Sequence, residues 1–230
     1  WEVTLTTGLS DLDGDGYADD LAAGDIAYGE EYLGLPIEAS GLLTNIALAL
    51  RAAPDLAGRI AGISLMGGGT FGNRTATGEF NVWADPEAAA IVFAYGGPLV
   101  MAGLDVTHQF QATPERIAAI EALPGTLAAV LADLLAFFSD NYRARHDPGS
   151  MRGAAVHDPL AVFALTHPDM FEREAHHVVI ETGGEHTRGM TVIDQRAITS
   201  RPATNCDVLT SVDDDAAFDL LLGSVAHFSR

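Results

Sequence analysis

The stretch Gly62-Ile63-Ser64-Leu65-Met66-Gly67-Gly68-Gly69 decides the fold. Its apolar run is too short for a helix and stops at three consecutive glycines, so it reads as a buried strand running into a glycine loop. After it, a long loop carries Asn73, Glu79 and Asn81, and Asp85-Pro86-Glu87 opens a helix that runs through Phe93. Proline suits the first helical turn, and acids suit the positive end of the helix dipole. Residues 98–104 are a continuous apolar run, the mark of a strand covered on both faces. Before the deciding stretch, residues 43–56 show helical apolar spacing, with Thr44 or Asn45 as cap and Pro54 near the exit.

The same alternation continues outward. Helices are predicted from Thr113-Pro114-Glu115, over 123–145 as one or two segments around Pro124-Gly125, after His157-Asp158-Pro159 through Leu165, and over 213–226. Runs of β-formers fall at 3–7, 178–182 and 190–194. Strands alternating with helices predict an α/β fold with a mostly parallel open sheet flanked by helices. Residues 1–230 read as a single domain, in which 9–40 is an acidic, glycine-rich insertion or loop.

Composition narrows the partners. Thirty-two acidic residues against 12 basic ones give a formal net charge of −20, and every basic residue is Arg. Such a surface repels phosphate backbones and anionic lipid, which argues against nucleic acid and membranes and favours a cation. No apolar stretch approaches the about 18 residues of a membrane span, and the run at 127–138 is broken by Asp133. Cys206 is the single cysteine and fits a reducing compartment, and Trp1-Glu2-Val3-Thr4 lacks a signal-peptide pattern. A cytoplasmic location is expected. A first residue that is not Met suggests a fragment.

Three clusters could carry chemistry, and in parallel sheets ligands bind beyond the carboxyl ends of the strands. Asp11, Asp13, Asp15, Asp19 and Asp20 crowd five carboxylates into ten glycine-containing residues. They repel one another unless a hard cation such as Ca²⁺ or Mg²⁺ neutralises them, the bland alternative being a solvated acidic loop. Asp11-x-Asp13-x-Asp15-Gly16-x-x-Asp19 is the spacing of a self-contained calcium loop, while Asp13-x-Asp15-x-x-x-Asp19-Asp20 allows a second reading. The glycine loop with Asn73, Glu79 and Asn81 offers hydroxyl-binding groups, but no Lys follows it as a phosphate loop requires. His157-Asp158 pairs a general acid with a metal-ligand candidate, although such a pair is commonly only a helix cap. His146-Asp147-Pro148 repeats the letters in a turn and reads as a decoy, and His176-His177 reads as edge decoration.

Taken together, these motifs resemble the inosine-uridine preferring nucleoside hydrolase family. The resemblance rests on Gly41 to Leu50 with its Leu43-Thr44-Asn45, Leu65 to Gly69, Glu79-Phe80-Asn81, Asp85 to Ala89, Gly103 to Thr107, His157 to Ala161 and Thr187 to Val192, in the family's order. It implies a Ca²⁺-dependent hydrolase, active in purine or pyrimidine salvage, that cleaves the N-glycosidic bond of a small-molecule ribonucleoside with a calcium-bound water. It implies Asp158 as a metal ligand, His157 as general acid or base-pocket residue, and Met66, Asn73, Glu79 and Asn81 as ribose contacts. Thr7 resembles the threonine whose carbonyl holds calcium, and Phe138 and Tyr142 lie on the helix that brings aromatics near the base. Residues 9–40 then stand for the family's amino-terminal third, with Asp15 as base and ligand, Asp19 as a ribose binder and Asp20 as a ligand. Tyr17 stands where the family has Gly in that aspartate pattern. The alternative is a non-catalytic or degenerate calcium-binding domain on the same scaffold. Relatives commonly form dimers or tetramers, so a homo-oligomer is also an expectation.

Overall fold

A computed structural model of the chain describes residues 36–143 and 151–229. In chain order the elements are β1 (Pro36–Ala39), α1 (Thr44–Ala52), β2 (Gly62–Met66), α2 (Phe80–Ala84), α3 (Pro86–Phe93), β3 (Leu99–Ala102), α4 (Leu104–Thr107), β4 (Gln111–Ala112), α5 (Pro114–Glu121), α6 (Thr126–Arg143), β5 (Ala154–Ala155), α7 (Pro159–Thr166), β6 (Phe171–His176), β7 (Val178–Ile180), β8 (Thr191–Ile193), β9 (Cys206–Val212) and α8 (Asp214–Phe228). The central sheet has the order β1-β2-β3-β9-β6. Its first four strands are parallel, and β6 runs antiparallel along one edge. Two short ribbons, β4–β5 and β7–β8, stand apart from it.

The burial pattern explains the layers. Every residue of β2 is buried, as the deciding stretch predicts for a strand with helices on both faces. On one face Ile46, Ala47 and Leu50 of α1 meet Ala89, Val92 and Phe93 of α3 over Ile37, Ile63 and Leu65. On the other face Leu160, Ala161 and Phe163 of α7 join Phe110, Leu209 and Ala217. Ser64 would strand its hydroxyl on that apolar face, and it donates instead to the Ala161 carbonyl at 2.8 Å.

Two of the sequence motifs prove to be fasteners. Asp85 caps α3 by accepting from the Ala88 N–H at 3.0 Å, and it also accepts from the Thr44 hydroxyl at 2.5 Å. Arg188 grips both oxygens of Glu87 at 2.7 and 2.8 Å. These contacts join the Leu43-Thr44-Asn45, Asp85-Pro86-Glu87 and Thr187-Arg188-Gly189 segments around α3.

Several expectations need correction. The apolar run 98–104 is a strand only to Ala102, because Leu104 donates its N–H to the Gly68 carbonyl at 2.9 Å and starts α4. Pro54 lacks the donor to continue α1, which ends at Ala52 and gives way to a 3-10 turn over Pro54–Gly58. Gly125, with φ +94°, separates α5 from a single long α6. The stretch 9–40 is not loop throughout, since its last residues form β1 and enter the central sheet. The strands β6 and β9 were not anticipated, and the predicted strand at 3–7 lies outside the described residues.

Candidate active site

The parallel strands β1, β2 and β3 end at Ala39, Met66 and Ala102, and the polar clusters follow those ends. Beyond β2 the backbone turns through Gly68, at φ +72°, and a Cβ there would lie 2.5 Å from the Thr191 hydroxyl. Glycine is therefore required by both conformation and space. The turn brings the chain back toward α2. Glu79, only 2% exposed, is the N-cap of that helix. It accepts from the N–H groups of Gly68 and Asn81 at 3.0 Å and of Val82 at 3.2 Å. Burial raises its pKa against the pull of those N–H groups. The amide of Asn81 donates to the Met66 carbonyl at 3.1 Å, and Asn73 accepts from the Phe80 N–H at 2.9 Å. Met66, Asn73, Glu79 and Asn81 thus form one knot, leaving the Asn81 carbonyl oxygen as a free acceptor among the described residues.

The short helix α4 binds this knot to the histidine turn. Asp105 accepts from the Thr70 N–H at 2.8 Å and the Thr70 hydroxyl at 2.5 Å. Thr107 meets the His157 Nδ1 at 2.8 Å. The His108 ring lies 5.7 Å from that of His157, and its Nε2 is 3.3 Å from the Tyr142 hydroxyl. Burial, with the neighbouring His108 adding to it, holds the His157 pKa down at about 4. Burial pushes the Tyr142 phenol upward, so it stays protonated. The Phe138 ring lies 5.7 Å from that of Tyr142, tilted at 58°.

Asp158 stands at the N-cap position of α7 but makes no capping hydrogen bond. Its carboxylate is not spent on the helix, which removes the bland reading of the His-Asp pair. Desolvation raises its pKa. Sequence reading missed its companion: Glu38 of β1, whose Oε1 is buried without a hydrogen-bond partner and whose pKa is pushed to about 7, first by burial and then by the charge of Asp158. The only signal was an acid within an otherwise apolar strand. Thr107, His108 and Asp105 sit in a segment noted only for following a strand, and their contacts emerge from tertiary packing.

The buried Glu38 Oε1, which has no hydrogen-bond partner among the described residues, and the Asp158 carboxylate, which caps no helix, are hard oxygens of the kind that suit a divalent cation such as Ca²⁺. Among the described residues no group of three His, Cys, Asp or Glu side chains is placed to hold one. Thr7, Asp15, Asp19 and Asp20 lie outside the described residues, as does Asp147 of the decoy turn. Among the described residues, β1 ends at Ala39, and Ser40 follows it on the way to Leu43-Thr44-Asn45. A separate cavity of about 460 Å³, lined by Arg116, Asp214 and Phe218, lies apart from these groups.

The chain is similar to known proteins over most of its length. The sequence profile described as "Inosine-uridine preferring nucleoside hydrolase" matches residues 18–219. The pyrimidine-specific ribonucleoside hydrolase RihA of Shewanella woodyi is 46% identical over 193 residues, covering 83% of this chain and 61% of that protein. The RihA of Enterobacter sp. is 40% identical over 192 residues, covering 83% and 60%. Among solved structures, the purine-preferring ribonucleoside hydrolase from Gardnerella vaginalis superposes with a TM-score of 0.77 at 31% identity, covering 88% of this chain and 63% of that one. The chain therefore spans about 60% of the length of the relatives it matches.

Proposed function

Because the chain belongs to the inosine-uridine preferring nucleoside hydrolase family, we propose that it hydrolyses the N-glycosidic bond of ribonucleosides. The observation that carries this reading is the meeting, through α4, of a hydroxyl-binding knot with the His157-Asp158 turn beyond the parallel strands. Asn73, Glu79 and Asn81 hold the ribose, and Met66 lines its apolar edge. Cleavage leaves positive charge on the sugar, which the Glu79, Glu38 and Asp158 carboxylates stabilise. Asp158, with the Ser40 carbonyl and Asp15 and Asp20 from the acidic segment 9–40, would hold a Ca²⁺ ion. When bound, such an ion would lower the pKa of a water molecule and so make it a better nucleophile. Asp15 would serve as the general base for the attacking water, and Asp19 would bind a ribose hydroxyl.

A histidine with a pKa near 4 is neutral at pH 7. His157 is accordingly a hydrogen-bonding residue of the base pocket rather than a resident proton donor. Its Nδ1 is occupied by Thr107, which leaves Nε2 for the departing base. Uridine and cytidine are the first substrates to assay, since the relatives named pyrimidine-specific share more identity than the purine-preferring one. Residues 1–230 act as one cytoplasmic salvage domain, as a monomer or a homo-oligomer. Among the described residues no helix is long and apolar enough to cross a membrane.

The test is ribose release from uridine, cytidine and inosine by the full chain. Release that is abolished by chelation and by Asp158→Ala is expected. A folded sample that releases no ribose overturns the reading. The competing reading is a non-catalytic calcium-binding domain on the same scaffold. That domain would gain thermal stability from Ca²⁺ even with Asp158→Ala and turn nothing over.

A further inference from the structure

Phe71 is 38% exposed, yet its loop is held on both sides. Immediately before it, Thr70 is clamped by Asp105. Immediately after it, the chain closes a tight turn through Gly72 N–H to Ala76 carbonyl at 3.2 Å and Arg74 N–H to Gly78 carbonyl at 3.0 Å. Arg74 lies 4.6 Å over the Trp83 ring and pins that turn to α2. The Phe71 ring meets His108 edge-on, with centroids 5.3 Å apart and planes at 64°. His108 meets His157 in turn at 5.7 Å. The result is a row of rings that runs from the exposed Phe71 through His108 to the half-buried His157. Asn73 of the hydroxyl-binding knot is only two residues beyond Phe71.

A ribonucleoside has two halves with opposite needs. Its hydroxyls seek amides and carboxylates, whereas its planar base seeks an aromatic surface. With ribose on Asn73, Glu79 and Asn81, the base extends toward this row. We propose that Phe71 is the outer stacking wall of the nucleobase pocket and sets the affinity for the base independently of the sugar. This rests on the hydrolase reading given above. The clamp makes the wall effective, because a ring already fixed in place loses little freedom when the base arrives.

The experiment uses the full chain with Phe71→Ala and Phe71→Trp. Removing a stacking ring weakens binding by roughly tenfold or more. Phe71→Ala is expected to raise KM for nucleosides far more than it lowers kcat, and more for inosine than for uridine because a bicyclic base overlaps more ring. Inhibition by free ribose stays at its wild-type level. Phe71→Trp restores KM, and its added fluorescence is quenched by nucleoside but not by ribose. An unchanged nucleoside KM in a folded Phe71→Ala protein overturns the proposal. So does an equal loss of ribose inhibition, which would make Phe71 a mere support for the loop. If the wild-type chain releases no ribose, the hydrolase reading fails by itself. Quenching of Phe71→Trp by uridine, with none by ribose, then still decides whether a base stacks there.

Discussion

Glu38 and His157 are perturbed in opposite senses, and the consequence is measurable. The unfolded histidine takes up a proton below about pH 6.5, whereas the folded one does so only near pH 4. Stability tied to His157 is therefore lost as pH falls from about 6.5 to 4. Folded Glu38 holds its proton up to about pH 7, against 4.5 when unfolded. Stability tied to Glu38 is therefore lost as pH rises through that window. After discounting for partial exposure, each effect is on the order of 1–2 kcal/mol. The two nearly cancel between pH 4.5 and 6.5. Glu38→Gln in the presence of a chelator is expected to raise the melting temperature at pH 8 and to expose a stability that falls with acid. His157→Gln is expected to expose the opposite slope. Melting curves from pH 4 to 8 that are parallel for all three proteins would refute this account. In activity assays, no ionisation of His157 near pH 6.5 should appear in kcat/KM.

Helix α3 shows what an element owes to its ends. Asp85 both caps it and receives the hydroxyl of Thr44 from α1. Asp85→Ala is expected to cost about 1–2 kcal/mol in urea unfolding, the range for a lost helix cap. A double-mutant cycle with Thr44→Ala should give a coupling above about 0.5 kcal/mol, since the two share one hydrogen bond. Additive losses would show that the contact contributes nothing. The elements that sequence reading found are those whose signals are local. The strand β2 has its apolar run and glycines, α3 its proline and acids, and α7 its proline after His157-Asp158. The missed strands lack such signals. The edge strand β6 buries only Phe171 and His176 and interposes Glu172, Arg173 and Glu174. Asp207, Thr210 and Ser211 interrupt the apolar pattern of β9, and its place is set by β3 and β6 rather than by its own letters. The four residues of β1 offered only Ile37 and Ala39 as buried alternation.

At the scale of the molecule, the candidate site is assembled from segments that contribute little by themselves. Asn73, Glu79, Asn81 and His157-Asp158 were legible because each motif is compact. The approach of Glu38 to Asp158 was not, because it depends on α7 lying across β1. The division of labour among the acids is also a tertiary fact. Asp85 and Glu87 are fasteners, Asp105 is a clamp, Glu38 keeps one buried oxygen without a partner among the described residues, and Asp158 makes no capping bond to α7. Ca²⁺ added to the full chain is expected to raise its melting temperature, and to do so less in Glu38→Gln if that side chain shares the ion. The same shift in both proteins would exclude Glu38 from the donor set.

The position of β9 has a consequence for biosynthesis. Although it is the last strand described in sequence order, it fills the gap between β3 and β6 and pairs with both. While residues 206–212 are still inside the ribosome, the nascent β3 must present a bare hydrogen-bonding edge, and β6 has nothing to join. Such interrupted pairings close slowly and invite association between incomplete chains. Ribosome-stalled chains ending before Cys206 should be digested rapidly by protease, and those stalled after all 230 residues have emerged should resist it.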